Sequence, residues 1–255
     1  MSSMRLRWLL SGMALGAALR RLSVRAGVSD EEAFGALPGD DVLAHPMVEW
    51  TRGLTVSATP DRIWPWLVQR GYGRAGWYTP RWVDAVIEPT LFRTRVPDRP
   101  RGARIERQHQ ELSAGDIIAD GPDHGAYFRV REVEPERAIV YHSIRHPWRA
   151  HPVDPGDPEA LEALEAQLRA GGIYLDFSWS FVLRPVAPGR TRLLVRTRAD
   201  YAPRALAPTL PIAGLFDATY GRAMLRAIAR RAEQTRTAGE GGPVDPASLS
   251  SDSRG

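Results

Sequence analysis

The residues best equipped for chemistry fall in three places. Behind a first apolar helix comes Gly73-Arg74-Ala75-Gly76-Trp77-Tyr78. Its glycines permit a tight loop, Arg74 can meet a carboxylate or phosphate, and Trp77 and Tyr78 can line an apolar site. The plainer account is that Arg74 pairs with a nearby acid and the rings complete the core. Further on, Phe177, Trp179 and Phe181 share one parity of a strand, so that strand must bury them and turn some of them toward any cavity. Trp64, Trp66 and Trp82 supply either cavity wall or plain core, and Phe128 lies on another strand. The third set can move protons: Tyr78, Tyr127, His142 and Asp176. Facing a cavity, the Asp176 carboxyl would titrate high and serve as an acid or base. On the outward parity to which it belongs, it pairs across strands with Arg192 or Arg196. Tyr174 shares that parity and both readings.

Several chemistries lack their residues. There is no Cys, so disulfides, thiolate nucleophiles and Cys-based metal sites are excluded. His142 and His146 stand four apart, but the residues between them are Ser143, Ile144 and Arg145, without the acid of a His-Glu-x-x-His signature. A strand end followed by a Pro-rich loop would not present that pair as a helix does. There is no phosphate-binding Gly-rich loop, no Gly-x-Ser-x-Gly elbow and no dinucleotide fingerprint. No metal, cofactor or catalytic residue is therefore assigned. The net charge is +4, and residues 1–25 hold Arg5, Arg7, Arg20, Arg21 and Arg25 without an acid, which leaves the rest near neutrality. The bulk charge gives no support to a nucleic-acid partner.

The elements that must position these groups are legible. Residues 1–28 form a basic apolar leader whose core, Trp8 to Leu19, would make a helix roughly 18 Å long against a hydrocarbon core of about 30 Å. It reads as a helix packed on the domain or a partner, a helix lying in a membrane interface, a signal-peptide core, or a short tilted span. Residues 29–50 read as a short helix with an arm. Ser29 and Glu32 form a capping box for a helix through about Leu37. Thr51 to Ser57 is the first strand, with Leu54 and Val56 on one side and Arg52 breaking the other. A helix capped by Ser57 or Thr59 follows, its inward stripe Ile63, Trp66 and Leu67 and its regularity limited by Pro65. Thr79-Pro80 opens a second helix through about Ile87, and residues 88–107 read as a loop.

Strands follow at Ile117 to Ala119, Tyr127 to Val133 and Arg137 to Ile144. An insertion near residues 145–171 ends in a helix with the stripe Leu161, Leu164 and Leu168. Ile173 to Pro185 and Arg190 to Ala199 make a long hairpin across Pro188-Gly189, with Arg192, Arg196 and Arg198 outward. The last helix runs from about Leu210 to Glu233. Leu225, Ile228, Ala229 and Ala232 are its buried face, and Gly214, Ala218 and Gly221 continue it. Residues 234–255 read as a disordered tail.

This order gives an α+β fold in which a curved antiparallel sheet is wrapped around a long C-terminal helix. In Ala58-Thr59-Pro60, Ile63 to Gln69, Gly73 to Tyr78, Leu112-Ser113-Ala114-Gly115-Asp116, Val133-Glu134-Pro135, Phe181 to Pro185, Gly189 to Leu193 and Met224 to Glu233, the chain resembles the SRPBCC superfamily. Those are the helix-grip proteins of START, Bet v 1 and polyketide cyclase type, and the likeness is to generic bacterial members over about residues 30–233. The resemblance implies a helix-grip domain over residues 51–233 with an internal apolar cavity. It places Trp66, Arg74, Trp77, Tyr78, Trp82, Phe128, Phe177, Trp179, Phe181, Gly214, Ala218 and Gly221 as candidates to line the pocket.

The function expected on this reading is binding or transport of a hydrophobic small molecule or lipid. The protein is expected in the cytoplasm, where residues 1–25 could make peripheral contact with the inner face of the membrane; export or membrane anchoring is the alternative. A cofactor-free cyclase or dehydratase, and an interaction protein with a collapsed cavity, are the competing expectations.

Overall fold

The computed structural model describes residues 27–79, 102–121, 126–149, 151, 154 and 156–239, with backbone alone for 211–212 and 235–239. The leader up to residue 26, the expected second helix with Trp82, and residues 240–255 lie outside them.

Apolar runs and apolar–polar alternation build six strands among the described residues: β1 (Val48–Val56), β2 (Ile117–Ala119), β3 (Tyr127–Glu134), β4 (Ala138–Arg145), β5 (Tyr174–Ala187) and β6 (Arg190–Ala202). They form one sheet in the order β1-β6-β5-β4-β3-β2, antiparallel throughout. The sheet is curved and unclosed. Register shifts at Val130/Glu132 in β3 and Pro185/Ala187 in β5 add local bend and twist. The expected hairpin closes at Gly189, whose φ of +67° suits glycine.

Among the described residues four helices accompany the sheet: α1 (Asp30–Phe34), α2 (Pro60–Val68), α3 (Pro158–Ala170) and α4 (Leu210–Gly239). Helix α1 starts on the expected capping box: Ser29 Oγ accepts from Glu32 N and Glu32 Oε2 accepts from Ser29 N. It ends at Phe34, three residues before Leu37, because the Asp40 carboxylate takes the Leu37 amide into a turn. Helix α3 begins on Asp157, which caps the Ala160 amide. The C-terminal helix does not stop at Glu233; its backbone runs on to Gly239, six residues into the stretch read as tail. Met224, Leu225, Ile228, Ala229 and Ala232 of α4 are buried against α2 and the inner face of the sheet. The result is the α+β arrangement of a helix-grip fold.

The arginines of β1 and β6 are drawn into the fold, because both faces of the sheet are covered. Arg52 does not break the opposite side of β1. It shares the parity of Leu54 and Val56 and faces α4, where its Nη2 lies 2.8 Å from Asp217 Oδ2. Arg192, Arg196 and Arg198 point outward from β6 as expected, but under a covering segment and not into solvent. They hold residues 27–49 onto the outer face. Arg192 forks onto both carboxylate oxygens of Glu32 at 2.6 and 2.8 Å. Arg196 donates to the carbonyls of Glu32, Ala33 and Gly35, satisfying the end of α1, and to Asp40 at 2.7 Å. Arg198 reaches Glu49 and the Asp40 carbonyl. Beneath them Leu37, Ala138, Val182 and Leu194 form a small apolar layer.

Candidate functional site

The inner face of the sheet carries a continuous aromatic surface. Strand parity aligns Phe128 of β3, Tyr141 of β4 and Trp179 and Phe181 of β5, all buried. Trp77 enters from the loop behind α2 and meets Phe128 at 5.3 Å, Trp179 at 5.6 Å and Tyr141 at 6.1 Å between ring centroids. That loop is pinched shut by hydrogen bonds exchanged between Gly71 and Gly76. A Cβ at Gly71 would stand 2.4 Å from Ile118, so only glycine brings the loop this close to β2. Trp66 packs edge-on against Tyr78 at 6.2 Å. The buried face of α4 closes the same cluster.

Polar groups are set into this surface. Gln69 is buried; its Nε2 donates to Tyr78 Oη at 2.7 Å, and its Oε1 accepts from Glu106 N and Gln110 Nε2. Burial pushes the Tyr78 hydroxyl up to about 12 against the pull of that bond, so it stays protonated at neutral pH. The Arg231 guanidinium of α4 lies 4.5 Å over the Tyr78 ring. Trp66 Nε1, Trp77 Nε1, Tyr141 Oη and both terminal nitrogens of Arg70 are buried without a hydrogen-bond partner among the described residues. Such orphaned groups are rare in folded interiors. Arg70 and Tyr141 are not among the residues expected from the sequence. Arg70 was findable, because it continues the stripe Ile63, Trp66, Leu67 by one helical step, and a charge on a buried stripe is a signal.

The other expected residues scatter. Arg74 meets neither an acid nor an open site: its Nη2 donates to the carbonyls of His109 at 2.8 Å and Val68 at 3.3 Å, stitching the loop to the 3-10 turn Arg107–His109. Phe177 is half-buried against Phe128 at 5.3 Å, with the Arg145 guanidinium 4.9 Å over its ring. Gly214, Ala218 and Gly221 are buried, and two of them lie beside Arg52: its Nη2 donates to the Gly214 carbonyl, and its Cγ lies 3.6 Å from where a Gly221 Cβ would be, an ordinary contact distance.

Three of the four proton-transfer candidates lie on the outer face. Asp176 is buried there, but not with Arg192 or Arg196. It accepts from His142 Nε2 and from Arg169 Nη2 of α3, each at 2.8 Å. Burial raises its pKa, the two hydrogen bonds lower it, and the net displacement is below the ordinary value. Tyr127 donates to Glu165 of α3 at 2.9 Å. Only Tyr78 belongs to the interior aromatic cluster. Tyr174, on the outer parity too, bonds to Asp200.

No known family pattern matches the chain, and no curated protein matches it in sequence. Solved structures do. The protein MLL2253 of Mesorhizobium loti is 15% identical, with 73% of this chain and 98% of that one covered, at a TM-score of 0.39. The hypothetical protein jhp0584 of Helicobacter pylori is 12% identical, with 77% and 95% covered and a TM-score of 0.41. DynU16, from the dynemicin biosynthetic locus, is 13% identical over 73% of this chain and 48% of its own, with a TM-score of 0.33. Likenesses this distant carry no argument about what the present chain does.

Proposed function

We propose that this protein is an SRPBCC-type helix-grip protein that binds a hydrophobic small molecule or lipid between the aromatic face of the sheet and α4. The observation that supports this is the make-up of the interior: a continuous wall of Trp77, Phe128, Tyr141, Trp179 and Phe181 into which a few buried, unpartnered donors are set. An apolar lining with a small number of polar groups is the composition of small-molecule sites. Apolar burial would supply most of the affinity, at about 25 cal/mol per Å² before ordering costs. The basic leader would keep the protein near anionic membrane, where such ligands reside.

The competing readings gain less. A cyclase-like enzyme built on the expected proton-transfer residues needs them to converge, whereas His142, Asp176 and Tyr127 lie on the opposite sheet face from Tyr78. A partner-binding role for the stripe of α3 needs it exposed, whereas Leu161 and Leu168 are buried and Leu164 is half-buried. Native mass spectrometry of gently purified protein, with solvent extraction in parallel, tests the proposal. The expected result is a co-purifying apolar compound. Protein that carries none and takes up no lipid or hydrophobic probe while folded would overturn it.

A further inference from the structure

Arg70 follows the end of α2 and is fully buried, at 0% exposure. Its Nε donates to the Leu67 carbonyl at 3.0 Å. The guanidinium carbon lies 3.4 Å from the centroid of the Phe181 ring. Its edge is different: Nη1 and Nη2 are both buried, and neither meets a carboxylate or a carbonyl within hydrogen-bond distance among the described residues, the Tyr141 hydroxyl being close enough to favour the charge. Burial works against the charge, and what favours it comes from the hydroxyls of Tyr141, Tyr78 and Tyr220 rather than from a carboxylate. Arginine does not shed its proton in proteins, so this site cannot escape the cost of a buried charge by neutralising. Two neighbouring rings, Tyr141 at 5.3 Å and Trp77 at 6.0 Å from the guanidinium carbon, carry further donors: the Tyr141 hydroxyl, which turns its oxygen to Arg70 and keeps its own proton to give, and the Trp77 indole N–H, which is buried without a partner among the described residues.

We propose that Arg70 receives a carboxylate, and that the ligand is an apolar organic acid whose two carboxylate oxygens take the terminal nitrogens of Arg70. This rests on the binding reading above and names the class of ligand. The chemistry matches in number and shape. A guanidinium edge offers two N–H groups side by side, and a carboxylate accepts both. One negative charge balances one positive charge, whereas a phosphate monoester would bring close to two into an aromatic wall. The tyrosine hydroxyl and indole N–H nearby are donors and suit an anion. A file of packed rings runs alongside, for the hydrocarbon body to lie against or displace. Trp77 touches Trp179, Trp179 lies 6.1 Å from Tyr220, and Tyr220 stacks at 5.8 Å on Phe216, which is 44% exposed. An aromatic file thus leads from the surroundings of Arg70 to the surface of α4.

The test titrates the full chain with two matched pairs of fluorescent probes: cis-parinaric acid with its methyl ester, and 1-pyrenebutyric acid with its methyl ester. The pairs differ only in the carboxylate and cover straight-chain and aromatic bodies. At least one acid should bind about tenfold or more tightly than its ester, and Arg70→Met should abolish that preference while ester binding stays within about threefold. Equal binding of acid and ester by the unaltered protein overturns the assignment to Arg70 and leaves the binding reading standing. An acid preference that survives in a folded Arg70→Met protein overturns it too. Binding of none of the four probes overturns both readings. The acid-to-ester ratio of the unaltered protein decides even if Arg70→Met does not fold.

Discussion

Asp176 shows how one carboxylate ties a helix to the sheet. It sits on the outer face of β5, accepts from His142 of β4 and from Arg169 of α3, and titrates below its ordinary value of 3.8. A carboxyl lowered by folding contributes stability above its unfolded pKa and loses it as pH falls through the folded value. Asp176→Asn should therefore cost about 1–3 kcal/mol at pH 7, and the gap should narrow below pH 3.8. Urea melts of both proteins at pH 7 and pH 3 check this; a gap that does not change with pH would contradict it. Arg52 poses a different problem, since it enters the inner face and is held by Asp217 and the Gly214 carbonyl. Arg52→Met leaves Asp217 without its cation and should cost about 2–4 kcal/mol, somewhat discounted for the partial exposure of Asp217. Adding Asp217→Leu should recover much of the loss. A double variant no more stable than the single would show that the Arg52 stem, not its charge, is what α4 packs on.

At the scale of elements, the N-terminal segment behaves as a layer of the domain. Arg192, Arg196 and Arg198 clamp it, and Gly39 lets it press onto the sheet. Gly39 has a φ of +83°, and a Cβ there would stand 2.5 Å from Val140 and 2.7 Å from Ser180 Oγ. Gly39→Ala combines a strained backbone with overpacking, so it should lose about 2–4 kcal/mol. Thermal melts measure it directly, and a change under about 0.5 kcal/mol would mean that the arm lifts away freely. The α3 helix depends on Leu161 in the same way: the side chain is buried, and Leu161→Ala should cost about 2–4 kcal/mol and raise amide exchange along α3 more than along α2. Uniform exchange in the two helices would place Leu161 outside the anchoring of α3.

At the scale of the whole molecule, ligand binding and fold stability are one equilibrium. A ligand seated between sheet and α4 binds only the folded chain, so at a hundredfold excess over its Kd it should add about 2.7 kcal/mol. For a domain of this size that is roughly 5–10 °C in Tm. A scan with an apolar acid at saturating concentration should show this shift, and its absence at proven saturation would mean that the ligand binds the unfolded chain as well.

What the sequence by itself determined was everything carried by local periodicity and punctuation. The parity of Trp179 and Phe181, the capping residues Ser29 and Asp157, the turn at Gly189 and the stripe Leu225, Ile228, Ala229 yield the strands, the helices and their order, and from them the α+β arrangement. These signals are local because hydrogen bonding and side-chain direction repeat over two or four residues. What only the tertiary structure decided was the partner of each polar side chain. Arg196 on the outer parity of β6 is written like a solvent residue, yet the end of α1 lies over it. Arg52 is written like an interruption, yet Asp217 and the Gly214 carbonyl of α4 receive it. Arg70 is one more arginine in the sequence until burial leaves its two terminal nitrogens without acceptors. A charge costs or contributes according to what surrounds it, and those surroundings come from segments far apart in the chain, which no short window of residues contains.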